Sequence, residues 1–438
     1  MKNYVYIETY GCSANQNNSE ILSGILRASG YQLTNNENIA EIIIINTCIV
    51  KGKTETKIKR RIQDLSNLYK NKLIIIAGCM SETDKNSLLK INPKLLLLGI
   101  HHTKDILKLL KDHDSNNLSK QRQEFYLSKQ NEEKICSPKI SNNKLISIIQ
   151  ISEGCLGTCS YCKTKIAKGT LFSYPEDKLI KQIESDLQSG AKEIWLTSQD
   201  SASYGLDKED KSHKLPGLLK KILSLKHNFK LRLGMMNPNH LYPILDDMIE
   251  VYKNKKIYKF LHIPIQSASN NILKDMNRPY KIEQVKEIIK KFKKEIPDIT
   301  IATDIITGYP TEKEQDHKQN LEFINENRPD VFNLSKFSSH KQTMAGKLPV
   351  LEKVIINKRA GELMELHRKT AMENKQKLKD KTIEVFVNSK SKIPDVYEAR
   401  DINYNIILIN SKDKSILGKN LDVKIKQIGV HHMLGDMV

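Results

Sequence analysis

Three short apolar runs in the first eighty residues each stop at a cysteine: YVYIETYGC at Cys12, EIIIINTC at Cys48 and LIIIAGC at Cys79. A fourth run, Leu95 to Leu98, stops at Gly99. Helical patterns lie between them. Asn18-Ser19 caps a stretch whose Ile21, Leu22, Ile25 and Leu26 share one face before Gly30, and Ile58, Ile62 and Leu65 recur at helical spacing under a basic face. Apolar strands alternating with helices predict a parallel sheet covered on both sides. All strands of such a sheet point one way, and ligands gather outside their carboxyl ends. Cys12, Cys48 and Cys79 should therefore converge on one edge although they are far apart in sequence. A single cysteine there would be an ordinary core residue. Three in the same topological position, two of them after Gly11 and Gly78, favour a shared metal site with three ligands.

The chain has 438 residues, enough for two or three cores. Its net charge of +20, from 71 Lys and Arg against 51 Asp and Glu, suggests a polyanionic partner such as nucleic acid, although lysine is abundant throughout. Seven cysteines in a large chain argue for reduced thiols and metal rather than a disulfide framework. No apolar run reaches the ~20 residues of a membrane span, and the amino terminus has no signal-peptide layout, so no membrane and a cytoplasmic location are expected. Four regions are expected. Residues 1–112 form the first α/β domain and 113–143 a polar linker with Pro138, in which Cys136 is an ordinary thiol. Residues 144–375 form a second α/β unit and 376–438 a small β-domain.

From residue 144 the alternation resumes. Strands are expected at 145–152, 193–200, 230–236, 260–267, 300–307 and 331–337, with helices near 176–189, 215–226, 239–252, 282–295 and 311–328. Six βα units rather than eight give a barrel with an open side, its chemistry at the strands' carboxyl ends. Directly after the first strand comes ISEGCLGTCSYCKTK, with Cys155, Cys159 and Cys162 in a C-x-x-x-C-x-x-C pattern. A structural zinc closes on four ligands. Three thiolates can instead hold three irons of a four-iron, four-sulfur cube and leave the fourth open. There the amino and carboxylate groups of S-adenosylmethionine (SAM) can chelate, and one electron can split the sulfonium. Tyr161 could pack on the SAM adenine as a cofactor-binding residue, or simply pack the loop.

These residues resemble the radical-SAM methylthiotransferase family, along nearly the whole chain. ISEGCLGTCSYCKTKIAKG resembles its cluster signature, and EIWLTSQDSASYG, LHIPIQSASNNILKDMNRPY, TDIITGYPTE and NLSKFSSHKQTMAG its later barrel motifs. Cys12, Cys48 and Cys79 match the ligands of the family's auxiliary cluster. GCSANQNNSEILSG and GMMNPNH are most similar to the archaeal and eukaryotic-type branch acting on N6-threonylcarbamoyladenosine of tRNA. The resemblance implies a partial (βα)6 TIM-like radical-SAM barrel, with catalytic Cys155, Cys159 and Cys162. It also implies two 4Fe-4S clusters, two SAM molecules per turnover, and methylthiolation of C2 of that base at position 37 beside the anticodon. The N-terminal cysteine edge should face the open side of the barrel. The sequence departs from the family where Lys168 stands in place of a common arginine, and at His340, Lys341, Gln342 and Thr343. Lys168 keeps a charge but not arginine's fork, and His340 is not expected to be charged at neutral pH.

A long basic helix at about 351–379 precedes TIEVFVN, YEARDIN, NIILIN and NLDVKIKQIG, the pattern of a small β-barrel. It resembles the TRAM domain, which implies RNA binding; a stabilising cap is the plainer alternative. His431-His432 reads as surface. The expected partners are a tRNA anticodon loop and an electron donor protein, with the chain a monomer. Two other substrates fit the same family, isopentenyladenosine of tRNA and an aspartate of a ribosomal protein. A non-catalytic metal-containing RNA-binding protein is the reading from another class.

Overall fold

The computed structural model describes residues 3–50, 52–115 and 117–438. The first sheet is built from β1 (Tyr4–Thr9), β2 (Gln32–Leu33), β3 (Ile42–Thr47), β4 (Leu73–Gly78) and β5 (Leu96–Leu98), all parallel, in the order β2-β1-β3-β4-β5. Every residue of β3 is buried, because helices cover both faces, which is why it reads as an unbroken apolar run. The helices that matter below are α1 (Ser13–Ala28), α2 (Gly52–Leu68) and α3 (Cys79–Thr83). The register aligns Thr9 with Asn46 and Asn46 with Ala77. Cys12, Cys48 and Cys79 therefore all leave the sheet at the same edge. Cys79 is the first residue of α3.

The second unit has β6 (Ile146–Gln150), a small hairpin of β7 (Ser152–Glu153) with β8 (Phe172–Ser173), then β9 (Glu193–Thr197), β10 (Lys230–Leu233), β11 (Phe260–Gln266), β12 (Thr300–Thr307) and β13 (Val331–Lys336). The main strands form two parallel sheets, β10-β9-β6 and β11-β12-β13, joined where Leu231 bridges Ile257. Six strands thus form an incomplete barrel. Its outer face is a core that includes Ile194, Leu196, Leu231, Leu233, Leu261, Ile263 and Ile301. The alternate, inward positions Trp195, Arg232, His262 and Asp304 are only half-buried, so the lumen is hollow rather than packed.

The open edge at β6 is covered by α1. Asn17 Nδ2 donates to Ile148 O (2.8 Å), and Gln150 Nε2 donates to Asn18 Oδ1 (2.8 Å). The polar face of α1 thereby satisfies one backbone carbonyl and one side-chain amide of the edge strand. A Cβ on Gly24 would sit 2.3 Å from the Pro138 carbonyl, so α1 needs a bare backbone where this segment crosses it. The stretch expected as a linker packs firmly. Tyr126, Glu132 and Lys134 are buried, and Gly99 N donates to Tyr126 O (2.7 Å).

The helix Lys353–Gln376 leads to a closed barrel of β14 (Thr382–Lys390), β15 (Val396–Arg400), β16 (Ile406–Asn410), β17 (Asn420–Ile428) and β18 (Met433–Met437). The closing strand β18 was not anticipated. This barrel sits against the amino ends of the larger barrel's strands. Lys259 N donates to Ile402 O (2.8 Å), and Asn388 Nδ2 donates to Glu193 Oε1 (3.1 Å). The Tyr404 ring lies 4.8–6.3 Å from those of Tyr258, Phe260 and Trp195 and plugs the lumen from below. Among the described residues no helix is long and apolar enough to cross a membrane.

Candidate active site

The N-terminal cysteines are gathered by short hydrogen bonds between the segments that carry them. Asn15 Nδ2, on α1, donates to Tyr10 O and Thr47 O (2.8 Å each). Thr47 Oγ1 donates to Ala77 O (2.6 Å) and accepts from Met80 N (3.1 Å). Gly11 has φ +109°, and a Cβ there would lie 2.7 Å from Cys48 Cβ and 2.9 Å from its sulfur. The approach of Cys12 to Cys48 thus requires glycine. Cys12 is exposed, whereas Cys48 and Cys79 are buried. Burial pushes the Cys79 thiol up to about 12 and the Cys48 thiol upward too; the charge of Lys168 acts on both in the opposite direction.

The second trio lies between β7 and the helix Lys163–Lys168, at the carboxyl end of the barrel. A Cβ on Gly157 would stand 3.3 Å from the Cys155 sulfur and 3.6 Å from that of Cys159, so both face the same small space. Cys162 N donates to Cys159 O (3.1 Å), and Ser160 N donates to Met276 O (3.0 Å). Burial pushes the Cys155 thiol up to about 11. Arg278 reaches this loop from beyond β11. Its Nη1 donates to the Cys159 sulfur (3.4 Å), and its Nη2 donates to Asn237 Oδ1 (2.6 Å) and Pro264 O (2.9 Å). Asn237 Nδ2 donates to Asp200 Oδ2 (3.0 Å), which also pairs with His240 Nδ1 (2.5 Å). A buried chain of polar groups thus ties one cysteine to the ends of β9 and β10. Tyr161 packs against the cluster of Ile272, Met276, Tyr309, Phe337 and Ala345.

The helix Lys163–Lys168 packs on α3, with Cys162 just before its first turn and Cys79 and Cys12 near Lys168 at its end. Each end carries a buried ammonium. Lys163 Nζ is 2.6 Å from Asp84 Oδ2 and 3.2 Å from Glu55 Oε2, both from the N-terminal unit, and Lys59 joins the same pair of acids. Lys168 Nζ is 2.9 Å from Glu153 Oε2, while Lys134 Nζ is 2.8 Å from Glu153 Oε1. Burial would push the Glu153 carboxyl up, but its two ammonium partners outweigh burial and hold it at about 2. His340 comes within 3.9 Å of Glu55; burial and then Lys163 push its imidazole down, in keeping with a neutral ring. Gln342 Nε2 donates to Thr83 O (2.8 Å). Cys136, with φ +61°, and the exposed His431 and His432 stand apart from both trios.

Each site offers three cysteine donors, the set that leaves one iron of a four-iron cube to an outside ligand, whereas a structural zinc closes on four protein ligands. Among the described residues no group of three or more His, Cys, Asp or Glu side chains is placed to hold a single metal ion.

Comparison with known proteins decides the family. The model of the uncharacterized protein family UPF0004 matches residues 4–99, and that of the radical SAM superfamily matches residues 149–324. The probable threonylcarbamoyladenosine tRNA methylthiotransferase of Methanothermobacter thermautotrophicus is 38% identical, over 87% of this chain and 88% of that protein. The Homo sapiens threonylcarbamoyladenosine tRNA methylthiotransferase is 33% identical, over 99% of this chain and 74% of that one. The chain belongs to the threonylcarbamoyladenosine tRNA methylthiotransferase family. Among solved structures, the radical S-adenosylmethionine methyltransferase TsrM from Kitasatospora setae aligns with a TM-score of 0.58 at 11% identity, over 79% of this chain and 77% of that one. That likeness concerns the fold. In this methylthiotransferase, Glu153, Lys134, Arg278 and the Asp200–Asn237–His240 group went unnoticed in the sequence. The M-x-R-x-Y stretch at Met276–Tyr280 was a signal for Arg278. Nothing local marks Lys134, which lies in a segment too polar to suggest burial.

Proposed function

We propose that the protein attaches a methylthio group to C2 of N6-threonylcarbamoyladenosine at position 37 of tRNA, with two 4Fe-4S clusters and SAM. Cys155, Cys159 and Cys162 would hold the cluster that binds SAM, and Cys12, Cys48 and Cys79 the auxiliary one. The observation that supports this reading is the gathering of Cys12, Cys48 and Cys79 at one sheet edge and of Cys155, Cys159 and Cys162 in the loop that opens a six-residue helix packed on α3. When bound, these groups supply reductive cleavage of SAM and a sulfur to be methylated and transferred. The chain's own part is to hold and charge-balance them. Arg278 donates to the Cys159 sulfur, and Lys168 places a buried positive charge beside Cys79 and Cys12. Asn15, Thr47 and Gly11 keep the strand ends together. The modified base lies in a single-stranded loop, where splaying it into a barrel mouth costs only a few kcal/mol. A separate protein electron donor and a cytoplasmic monomer complete the reading.

Mass spectrometry of tRNA nucleosides from a deletion strain tests the substrate: loss of the methylthio form of threonylcarbamoyladenosine is expected, and its persistence refutes the assignment. Iron analysis tests the sites. Reconstituted protein should hold about eight irons and the triple variant Cys12→Ala, Cys48→Ala, Cys79→Ala about four; equal counts would remove the auxiliary cluster.

A further inference from the structure

Arg232 occupies the barrel lumen without an anion. It is the third residue of β10, on the inward face, half-buried. Among the described residues it has no carboxylate within ion-pair distance, and its Nε is buried without a hydrogen-bond partner. Its guanidinium carbon lies 5.7 Å from the ring centre of Trp195, 5.6 Å from Phe260 and 5.8 Å from Tyr404. These rings favour a cation but do not satisfy its N–H groups. Several cations of the interior have carboxylate partners, Lys134 and Lys168 with Glu153, Lys163 with Asp84, and Arg359 with Glu312. Arg278 and Lys375 donate instead to a cysteine sulfur or backbone carbonyls, and Arg400, whose Nε is also unpartnered, donates to the Tyr404 carbonyl. Two acids face the lumen and both are engaged by other groups: Asp304 by His262 at 2.5 Å, and buried Glu193 by Trp195 Nε1, the Tyr258 hydroxyl and Asn388 Nδ2. An unpaired guanidinium in a hollow, partly desolvated place is a site for an anion that comes from outside.

Its position limits which anion. Tyr404 closes the lumen below Arg232, so a ligand enters from the carboxyl ends, past the Cys155 loop. Asn237, which touches Arg278 and through it Cys159, is five residues further along, at most roughly 16 Å of chain. That span holds a nucleobase and a short substituent, whereas the tRNA backbone phosphates stay outside the mouth.

Resting on the substrate reading above, we propose that Arg232 is a specificity-determining residue that binds the carboxylate of the threonylcarbamoyl group, and that the His262–Asp304 pair lies on the same wall to meet the group's remaining polar atoms. An adenine with an apolar N6 substituent would leave the guanidinium unpaired, so the site discriminates by charge.

Trp195 is the chain's single tryptophan and lies against Arg232, so its fluorescence reports occupancy. Reconstituted full-length protein is titrated with N6-threonylcarbamoyladenosine, its threoninamide analogue, adenosine and SAM. The wild type should bind the carboxylate at least about tenfold more tightly than the carboxamide. Arg232→Gln should reduce that ratio to near one, and Arg232→Lys should restore part of it. Equal binding of the two nucleosides by the wild type, or an undiminished ratio in Arg232→Gln, overturns the assignment. So does a SAM response that Arg232→Gln alone abolishes, since the carboxylate bound would then be the cofactor's. If wild-type enzyme leaves threonylcarbamoyladenosine-containing tRNA unmodified, the substrate reading fails. If it modifies that tRNA while charge discrimination survives Arg232→Gln, only the role of Arg232 fails.

Discussion

Glu20 offers a stability test with an unusual sign. It lies on α1, 1% exposed, where the segment after Pro138 crosses the helix. Its Oε1 accepts from Asn142 N at 3.3 Å and its Oε2 has no partner. Burial pushes its carboxyl up to about 7, with the Asn142 bond and Lys139 opposing only in part. An acid raised in this way binds its proton more tightly folded than unfolded. Its contribution to stability is therefore intact below about 4.5 and is lost as pH rises through about 7. Each tenfold in proton affinity is about 1.4 kcal/mol, so ionised Glu20 should cost the native state about 3 kcal/mol. Glu20→Gln removes the charge but keeps an acceptor for Asn142 N. Allowing about 1 kcal/mol for the amide's unpaired N–H leaves a net gain of about 2 kcal/mol at pH 8.5. For a unit of 150–250 residues that corresponds to a Tm higher by about 4–8 °C. At pH 5 the variant should match or fall slightly below the wild type. Calorimetry of iron-free protein at both pH values is the assay. A variant equally destabilised at pH 5 and pH 8.5 would show that Glu20 is not held as a buried, poorly solvated acid.

Other expectations follow from the same contacts. Glu153→Gln leaves Lys134 and Lys168 buried against a neutral amide and should cost about 3–5 kcal/mol, while adding Lys168→Met should recover part of the loss; denaturant midpoints of the single and double variants decide this. Asp84→Asn weakens the clamp on Lys163 and should raise proteolytic cleavage between the N-terminal unit and the barrel, measured by limited trypsin digestion. Tyr404→Ala removes a ring shared with Trp195, Tyr258 and Phe260, costing about 2–4 kcal/mol and shifting Trp195 emission to longer wavelength. An unchanged spectrum would contradict the plugged lumen.

The fold was legible where periodicity was strong. Strands β3, β4, β12 and β13 and the helix Ile282–Glu295 lie within a residue or two of their expected places, because an apolar run or a 3.6-residue repeat overrides local ambiguity. The convergence of Cys12, Cys48 and Cys79 followed from parallel topology alone. What stayed hidden depends on distant partners. Lys134 sits among polar residues and looks like linker until Glu153, nineteen positions on, is brought against it. Asn15, Asn17 and Asn18 weaken the apolar pattern of α1, yet they are the residues that bind the cysteine loops and the barrel edge. Lys168 appeared as a departure from family habit, and only its burial beside Glu153 gives it a purpose.

The tyrosine stopper at the base of the large barrel has a consequence for traffic. With its base closed by Tyr404, the lumen can be reached from below by nothing. On the reading proposed above, the RNA loop and the cofactor would then share the rim at the strands' carboxyl ends, and the product loop is expected to leave before a fresh sulfonium enters.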